Sequence, residues 1–181
     1  MEIILIRHGK PTSANNPIVN AAEYAKWIRR YNFSDIADNS RPESINVDYI
    51  SDYIISSDLK RAIHSAHICV SKKPDEINAL YREMDIPRYK LPFNLTAWQW
   101  VYFCRVLWML GFTGSFESFK QAKQRANIAA SELIKAANKQ NTVILFGHGF
   151  MNLYIRKSLI QKGWTLTTKS NDYWGITRLV I

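Results

Sequence analysis

Residues 2–9 have the sequence EIILIRHG. Residues 3–6 form a short apolar run rich in β-branched side chains, which is typical of a buried strand. The run ends abruptly at Arg7, and the glycine and Pro11 that follow indicate a loop. The chain is therefore predicted to begin with a buried strand that carries Arg7 and His8 at its carboxyl end.

Further strand signals follow this first one, with helical segments between them. Strands are predicted over residues 53–55, 77–80, 142–146 and 173–181. Helices are predicted over residues 20–31, 58–70, 116–139 and 150–160, with Asn20 and Asp58 as N-terminal caps of the first two. This alternation predicts an α/β fold, a three-layer α/β/α sandwich with a mainly parallel central sheet.

Length and composition limit the class of protein. The 181 residues include 47% hydrophobic residues, which predicts a single globular domain over residues 1–181. Two cysteines, Cys69 and Cys104, are too few for a disulfide framework, and we expect both to be buried free thiols. The N-terminus has no basic region ahead of an apolar stretch, so no secretory signal and a cytoplasmic location are expected.

The chain is basic, with 24 Lys and Arg against 15 Asp and Glu and a net charge of +9. Such a charge suits nucleic acid, an anionic membrane surface or an acidic small molecule. The basic residues are scattered, however, with no run longer than pairs such as Arg29-Arg30. This pattern disfavours a polybasic arm that binds nucleic acid.

Two of the four histidines occupy the same unusual setting. His8 and His148 each follow an apolar strand and each precede a glycine, whereas His64 and His67 lie inside a predicted helix. Because binding sites of parallel sheets form where loops leave the carboxyl ends of the strands, we expect His8 and His148 to share one site. The predicted strand over residues 53–55 leads towards the same edge.

Arginines accompany these histidines and favour an anion as the ligand. Arg7 precedes His8, and Arg61 follows the strand over residues 53–55. Arginines would repel a metal cation, and no adjacent carboxylate pair completes a ligand set, so no metal site is predicted. Arginine offers planar donors that match phosphate oxygens, and a neutral histidine nitrogen can attack phosphorus.

This pattern resembles the histidine phosphatase superfamily, the phosphoglycerate mutase-like family, and within it the phosphatase branch. The resemblance covers most of the chain in the order found in that family. It rests on four motifs, which are Arg7-His8-Gly9, Ser56-Ser57-Asp58-Leu59-Lys60-Arg61-Ala62, Arg82-Glu83-Met84-Asp85 and Phe146-Gly147-His148-Gly149. Fold, chemistry and site residues of the family then become expectations for this chain.

The resemblance implies a phosphomonoester hydrolase that needs no metal or organic cofactor. His8 would accept the phosphoryl group as a transient phosphohistidine, while Arg7, Arg61 and His148 would surround the phosphate. Glu83 would protonate the leaving alcohol, with Asp85 close enough in sequence to replace it. A structural alternative for Arg61 is an ion pair with Asp58 three residues earlier.

Departures from the family pattern leave the substrate open. Lys10 and Pro11 follow Arg-His-Gly, where many members have an acidic or amide residue, and Phe150 stands where the acid-phosphatase branch has its proton donor. The expected partner is a small phosphorylated substrate or a phosphoprotein, and not nucleic acid. A phosphoglycerate mutase-type isomerase and a non-catalytic phosphate-binding module are the two alternatives.

An aromatic-rich segment at about residues 93–114 is the least ordinary part of the sequence. It is predicted to form a helical insertion that covers the site or joins two copies of the chain in a homodimer, with core packing as the alternative. Gln99 and Arg105 in its middle disfavour a membrane span. Trp27 and Tyr31 on the first helix are expected to supply its partner surface.

Overall fold

The computed structural model describes residues 1–42 and 52–181. Its strands are β1 (Glu2–Arg7), β2 (Ile18–Val19), β3 (Tyr53–Ser56), β4 (Glu76–Ile77), β5 (Leu95–Thr96), β6 (Thr142–Gly147), β7 (Thr165–Thr168) and β8 (Ile176–Val180). Its α-helices are α1 (Ala21–Phe33), α2 (Lys60–Val70), α3 (Ala97–Met109), α4 (Phe119–Gln140) and α5 (Gly149–Gln161). A short 3₁₀ helix spans Ala79–Tyr81.

Within the described residues, six strands form the central sheet, in the order β4-β3-β6-β1-β8-β7. β4, β3, β6 and β1 run parallel, and β8 and β7 complete the sheet with antiparallel pairing. Arg7 at the end of β1 is in register with Gly147 at the end of β6, and Ser56 at the end of β3 is in register with Phe146. The carboxyl ends of these three strands therefore lie at one edge of the sheet.

Alternating side chains of the strands build a core on each face of the sheet. Ile3 and Leu5 of β1 face the cluster that contains α4 and α5. Ile4 and Ile6 face the opposite cluster, which contains Ala66 and Val70 of α2. The period-two pattern of a strand with both faces buried produces these two cores. The three-layer α/β/α fold with a mainly parallel sheet is confirmed.

The aromatic segment forms α3, which packs against α1 in a separate core cluster. The ring of Trp98 lies 5.3 Å from that of Trp27 and 5.7 Å from that of Tyr31, and Trp100 stacks on Tyr24 at 5.4 Å. The partner surface expected on the first helix is therefore present. β2 and β5 pair beside this cluster and join the starts of the two helices.

Capping explains where several helices begin. Asn20 caps α1 and forms a capping box with Glu23, as its sequence predicts. The same device, with Gln at the third position, starts α3 at Thr96 and α4 at Ser118, so that α4 begins three residues later than predicted. Asp58 does not cap α2. Leu59 is the cap residue there, and Asp58 pairs instead with Arg82.

Two strand predictions need correction. Residues 77–80 form only the end of β4 followed by the 3₁₀ helix, because Asn78 caps that turn and ends the strand. The last strand begins at Ile176, after a bend in which Trp174 has a positive φ of 63°. All four residues of β7 are exposed, and the strand lacks the apolar pattern by which a buried strand is predicted.

The two cysteines are buried and free, as expected. Within residues 1–42 and 52–181, no helix has the length and apolar character needed to cross a bilayer.

Candidate active site

Three parallel strands deliver the polar side chains of the site to one edge of the sheet. His8 follows β1, Ser57 follows β3 and His148 follows β6. The rings of His8 and His148 lie 5.0 Å apart between centroids and meet edge to face. Arg61, in the first turn of α2, reaches the same place. Together, Arg7, His8, Arg61 and His148 are named the strand-end site below.

Hydrogen bonds fix the tautomer of His8. Nδ1 lies 2.7 Å from the carbonyl oxygen of Gly9, which can only accept, so Nδ1 carries the proton. Nε2 therefore keeps a lone pair, and it accepts a hydrogen bond from Nε of Arg61 at 3.2 Å. Burial, reinforced by the charge of Arg61, lowers the pKa of His8 well below 6.5. His8 is therefore a neutral base at neutral pH.

Arg61 is completely buried and held by backbone oxygens rather than by a carboxylate. Its Nη1 donates to the carbonyls of Tyr31 and Asn32, both at 3.1 Å. Because Asp58 binds Arg82, the alternative interpretation of Arg61 as a surface ion pair with Asp58 is wrong. Nη2 of Arg61 has no acceptor within the part of the chain that the structure describes.

Ser65 and Trp174 hold the loop after His8 in place. Ser65 Oγ accepts from the backbone N–H of Gly9 at 3.0 Å and donates to the carbonyl of Arg61 at 2.6 Å, which ties this loop to α2. A Cβ on Gly9 would collide with the ring of Trp174. Glycine is therefore required here by close packing.

Arg7 lies above the ring of Tyr173, with the guanidinium carbon 4.1 Å from the ring centroid. Its Nη1 donates to the carbonyl of Asn171 at 2.7 Å, while Nε is buried without an acceptor among residues 1–42 and 52–181. A Cβ on Gly149 would lie only 3.2 Å from this Nε. Glycine at that position lets Arg7 approach the start of α5.

His148 is fully buried and paired with a serine. Nε2 lies 2.8 Å from Oγ of Ser57, and Nδ1 has no partner in the described residues. Burial lowers the pKa of His148 well below 6.5, and the charges of Arg61 and Arg7 add to this effect. Ser57 lies in a motif that the sequence singles out, but only the structure shows that it contacts His148.

Glu83 sits at the N-terminus of α5. Its carboxylate accepts from the backbone N–H groups of Met151 at 2.9 Å, Phe150 at 3.2 Å and Met84 at 2.9 Å. Free N–H groups in a first helical turn favour such an acceptor. Asp85 points elsewhere, because its Oδ2 accepts from the backbone N–H of Glu117 at 2.8 Å. The structure thus places Glu83, and not Asp85, beside the start of α5.

A cavity of about 410 Å³ opens next to the strand-end site. Arg7, Glu83 and Gly149 line it together with side chains of α3. We call it the α3 cavity. Arg105 of α3 also borders it, a residue that the sequence suggests only as a barrier to membrane insertion.

Comparison with known proteins identifies the family. The model of the histidine phosphatase superfamily (branch 1) matches residues 41–180. The chain belongs to this superfamily. The match contains Arg61, Glu83 and His148, and the structure places His8, which precedes it, against Arg61 and His148. No curated protein matches the chain.

Solved structures of histidine phosphatase-like proteins share the fold across nearly the whole chain. A mutant of phosphoserine phosphatase from Entamoeba histolytica, in complex with phosphoserine, has a TM-score of 0.59 at 14% identity, covering 98% of this chain and 89% of that one. Phosphoglycerate mutase from Thermus thermophilus has a TM-score of 0.55 at 18% identity, covering 100% and 99%. Mycobacterial glucosyl-3-phosphoglycerate phosphatase has a TM-score of 0.54 at 16% identity, covering 98% of this chain and 88% of that one. At these identities the likeness shows the fold.

Proposed function

We propose that this superfamily member hydrolyses phosphomonoesters and that Nε2 of His8 takes up the phosphoryl group. The protonation of His8 carries the proposal. Its Nδ1–H is bonded to Gly9, Nε2 keeps the lone pair, and burial beside Arg61 keeps the ring neutral. A neutral imidazole nitrogen of this kind is the nucleophile that attack on phosphorus requires.

The resting site must exchange one hydrogen bond before the attack. Nε–H of Arg61 occupies the lone pair of Nε2, so the phosphate has to draw Arg61 towards its own oxygens. Three nitrogens without acceptors in the described residues would bind those oxygens, namely Arg7 Nε, Arg61 Nη2 and His148 Nδ1. Fixed donors around the phosphoryl oxygens stabilise the charge of the transition state.

The reaction then has two steps. Nε2 of His8 forms a bond to phosphorus while the bond from phosphorus to the ester oxygen breaks, and Glu83 donates a proton to the departing alcohol. Water next attacks phosphorus and gives a proton to Glu83, and the N–P bond breaks to release inorganic phosphate. Glu83 lines the α3 cavity together with Arg7. Before it donates, it must take up a proton and release one of the backbone N–H groups that its carboxylate accepts from in the resting site.

The comparisons support phosphate chemistry but include both phosphatases and a mutase. We favour hydrolysis over a mutase reaction because the chain is short and Lys10 directly follows Arg-His-Gly. A small phosphorylated substrate is the proposed partner. The cytoplasmic location and the pairing of two copies through α3 stay predictions.

Hydrolysis of p-nitrophenyl phosphate in excess chelator tests the proposal. We expect wild-type protein to release p-nitrophenol and to form an acid-labile phosphohistidine, and His8→Ala to do neither. His67→Ala is the matched control, because His67 is exposed on α2 and should leave both unchanged. Absence of turnover and of phosphohistidine would overturn the proposal and leave a binding module. Transfer of the phosphoryl group to a second alcohol in preference to water would identify a mutase.

A further inference from the structure

Helix α3 has two apolar faces with different surroundings. Trp100, Cys104 and Trp108 are buried in the core. Tyr102 and Val106 lie on the other face and are 70% and 50% exposed. Apolar side chains left in water favour a partner that covers them. Because this face borders the α3 cavity, the partner can be the molecule that enters the cavity.

The walls of the α3 cavity are mainly apolar. From α3 they include Trp98, Val101, Tyr102, Val106 and Met109. Ile86 and the α5 residues Phe150 and Leu153 close the cavity from other directions. Its volume of about 410 Å³ falls in the range of pockets that bind small organic molecules. Such walls suit a hydrocarbon or aromatic group better than a polyol.

Arg105 contributes a charge to this wall but presents little of it. Its guanidinium carbon lies 4.3 Å from the ring centroid of Phe150 and 4.8 Å from that of Trp108, and Nη2 donates to the carbonyl of Met84 at 3.0 Å. The side chain is 7% exposed. Nη1 is buried and has no acceptor within residues 1–42 and 52–181. The rings of Phe150 and Trp108 and the carbonyl of Met84 thus cover most of the guanidinium, so that the wall next to Arg105 stays mainly apolar.

Charged groups in the wall of the cavity set the orientation of the ligand. Arg7 of the strand-end site and Glu83 both line the cavity, so a phosphate bound at Arg7 would direct its ester substituent into the space beside α3. Charge beside the strand-end site and apolar walls along α3 match an amphipathic phosphomonoester. From this arrangement we infer that the substrate is the phosphate of an apolar alcohol. This inference rests on the proposed function.

Three primary alkyl phosphates test the inference, namely 2-phenylethyl phosphate, ethyl phosphate and glycerol 1-phosphate. Their leaving groups are similar, so differences in kcat/KM report the fit of the substituent. We expect 2-phenylethyl phosphate to exceed each of the others by about tenfold or more. Equal values, or a preference for glycerol 1-phosphate, would overturn the inference while leaving phosphatase activity established.

Variants of α3 test whether the cavity wall causes the preference for 2-phenylethyl phosphate. Val106→Asn places an amide in the cavity wall and should reduce the preference at least about threefold, and Met109→Gln should act in the same direction. Phe103→Asn is the control, because Phe103 is 40% exposed on α3 but does not line the cavity. An altered oligomeric state of Val106→Asn in sedimentation, with an unchanged preference, would assign this face to a subunit contact and overturn the inference.

Binding of phosphonates separates this inference from the proposed function. 2-Phenylethylphosphonate and ethylphosphonate cannot be hydrolysed, and their affinities are measured by titration calorimetry. If no substrate is turned over but the phenylethyl compound binds about tenfold more tightly, the cavity assignment holds and hydrolysis fails. If both bind equally weakly, the cavity assignment is wrong whatever the activity.

Discussion

Nε of Arg61 donates a hydrogen bond to Nε2 of His8 across 3.2 Å, at the atom that we propose as the nucleophile. Arg61 is fully buried, and His8 is only 2% exposed. The arginine therefore has two effects on His8. It covers the lone pair in the resting site, and its charge adds to the effect of burial in lowering the pKa of His8, which keeps the imidazole unprotonated and reserves the lone pair for phosphorus.

Removing the charge of Arg61 should shift the pH profile of kcat/KM to higher pH. The neutral form of His8 is active, so kcat/KM falls as pH drops through the pKa of His8. Arg61 lowers that pKa, and Arg61→Gln should therefore shift the acidic limb to higher pH and reduce kcat/KM about 10²- to 10³-fold. Lys60→Gln, at the exposed neighbouring position, should leave the limb in place. An acidic limb that does not shift in Arg61→Gln would contradict the role of Arg61 in lowering the pKa of His8.

Loss of the Ser57 hydroxyl should reduce kcat/KM, because His148 would lose the contact that positions its ring. Oγ of Ser57 is the only hydrogen-bond partner found for His148 side-chain nitrogens in the described residues. Ser57→Ala is expected to lower kcat/KM about fivefold, the equivalent of one hydrogen bond of about 1 kcal/mol. Ser56→Ala is a matched control, because that hydroxyl donates to the carbonyl of Ser57 and not to a histidine. Equal losses in both variants would refute the positioning role.

The effect of substituting Glu83 on kcat/KM should depend on the leaving group of the substrate. An alkyl alcohol needs a proton to depart, whereas p-nitrophenolate leaves without one. Glu83→Gln should therefore lower kcat/KM for alkyl phosphates about 10²- to 10⁴-fold and for p-nitrophenyl phosphate much less. Asp85→Asn should leave the ratio of the two substrates unchanged, since Asp85 binds the backbone of Glu117. The opposite result would assign the proton donor to Asp85.

The sequence predicts the histidines and arginines of the site for a simple reason. Arg7, His8 and His148 stand at the ends of apolar runs, and parallel strands bring their carboxyl ends to one edge of the sheet. Arg7 and His148 are far apart in the chain, yet the register of β1 with β6 places them together. Local periodicity and strand polarity thus suffice to bring Arg7, His8 and His148 together, whereas the place of Arg61 in the site is an expectation from the resemblance to the family.

Contacts between distant side chains could not be predicted in this way. Asp58 binds Arg82, 24 residues away, and Ser57 meets His148, 91 residues away. Nothing in the local sequence of either partner specifies these pairs. α3 presents a different difficulty, because an apolar helix without a polar face gives no sign of its orientation. Only the structure shows that Cys104 faces the core and Val106 the cavity.

Acid should destabilise the protein through its two buried histidines. Burial holds the pKa of His8 and of His148 well below 6.5, the ordinary value. Below that pH the unfolded chain takes up protons that the folded chain does not, so the free energy of unfolding decreases as pH falls. Between about pH 6.5 and about pH 5.5 the two histidines together should cost about 2 kcal/mol.

Urea unfolding at these two pH values measures the decrease in the free energy of unfolding, and a variant shows which histidine causes it. His148→Gln should remove about half of the difference, because glutamine takes up no proton in either state. His67→Gln should retain the full difference, since His67 is exposed on α2. Asp58 does not interfere in this window, because its hydrogen bond with Arg82 lowers its pKa from 3.8 and its contribution is lost only at lower pH. If His148→Gln lost as much stability on acidification as the wild type, His148 would have to be protonated in the folded site, and its place as a neutral donor beside the phosphate would be wrong.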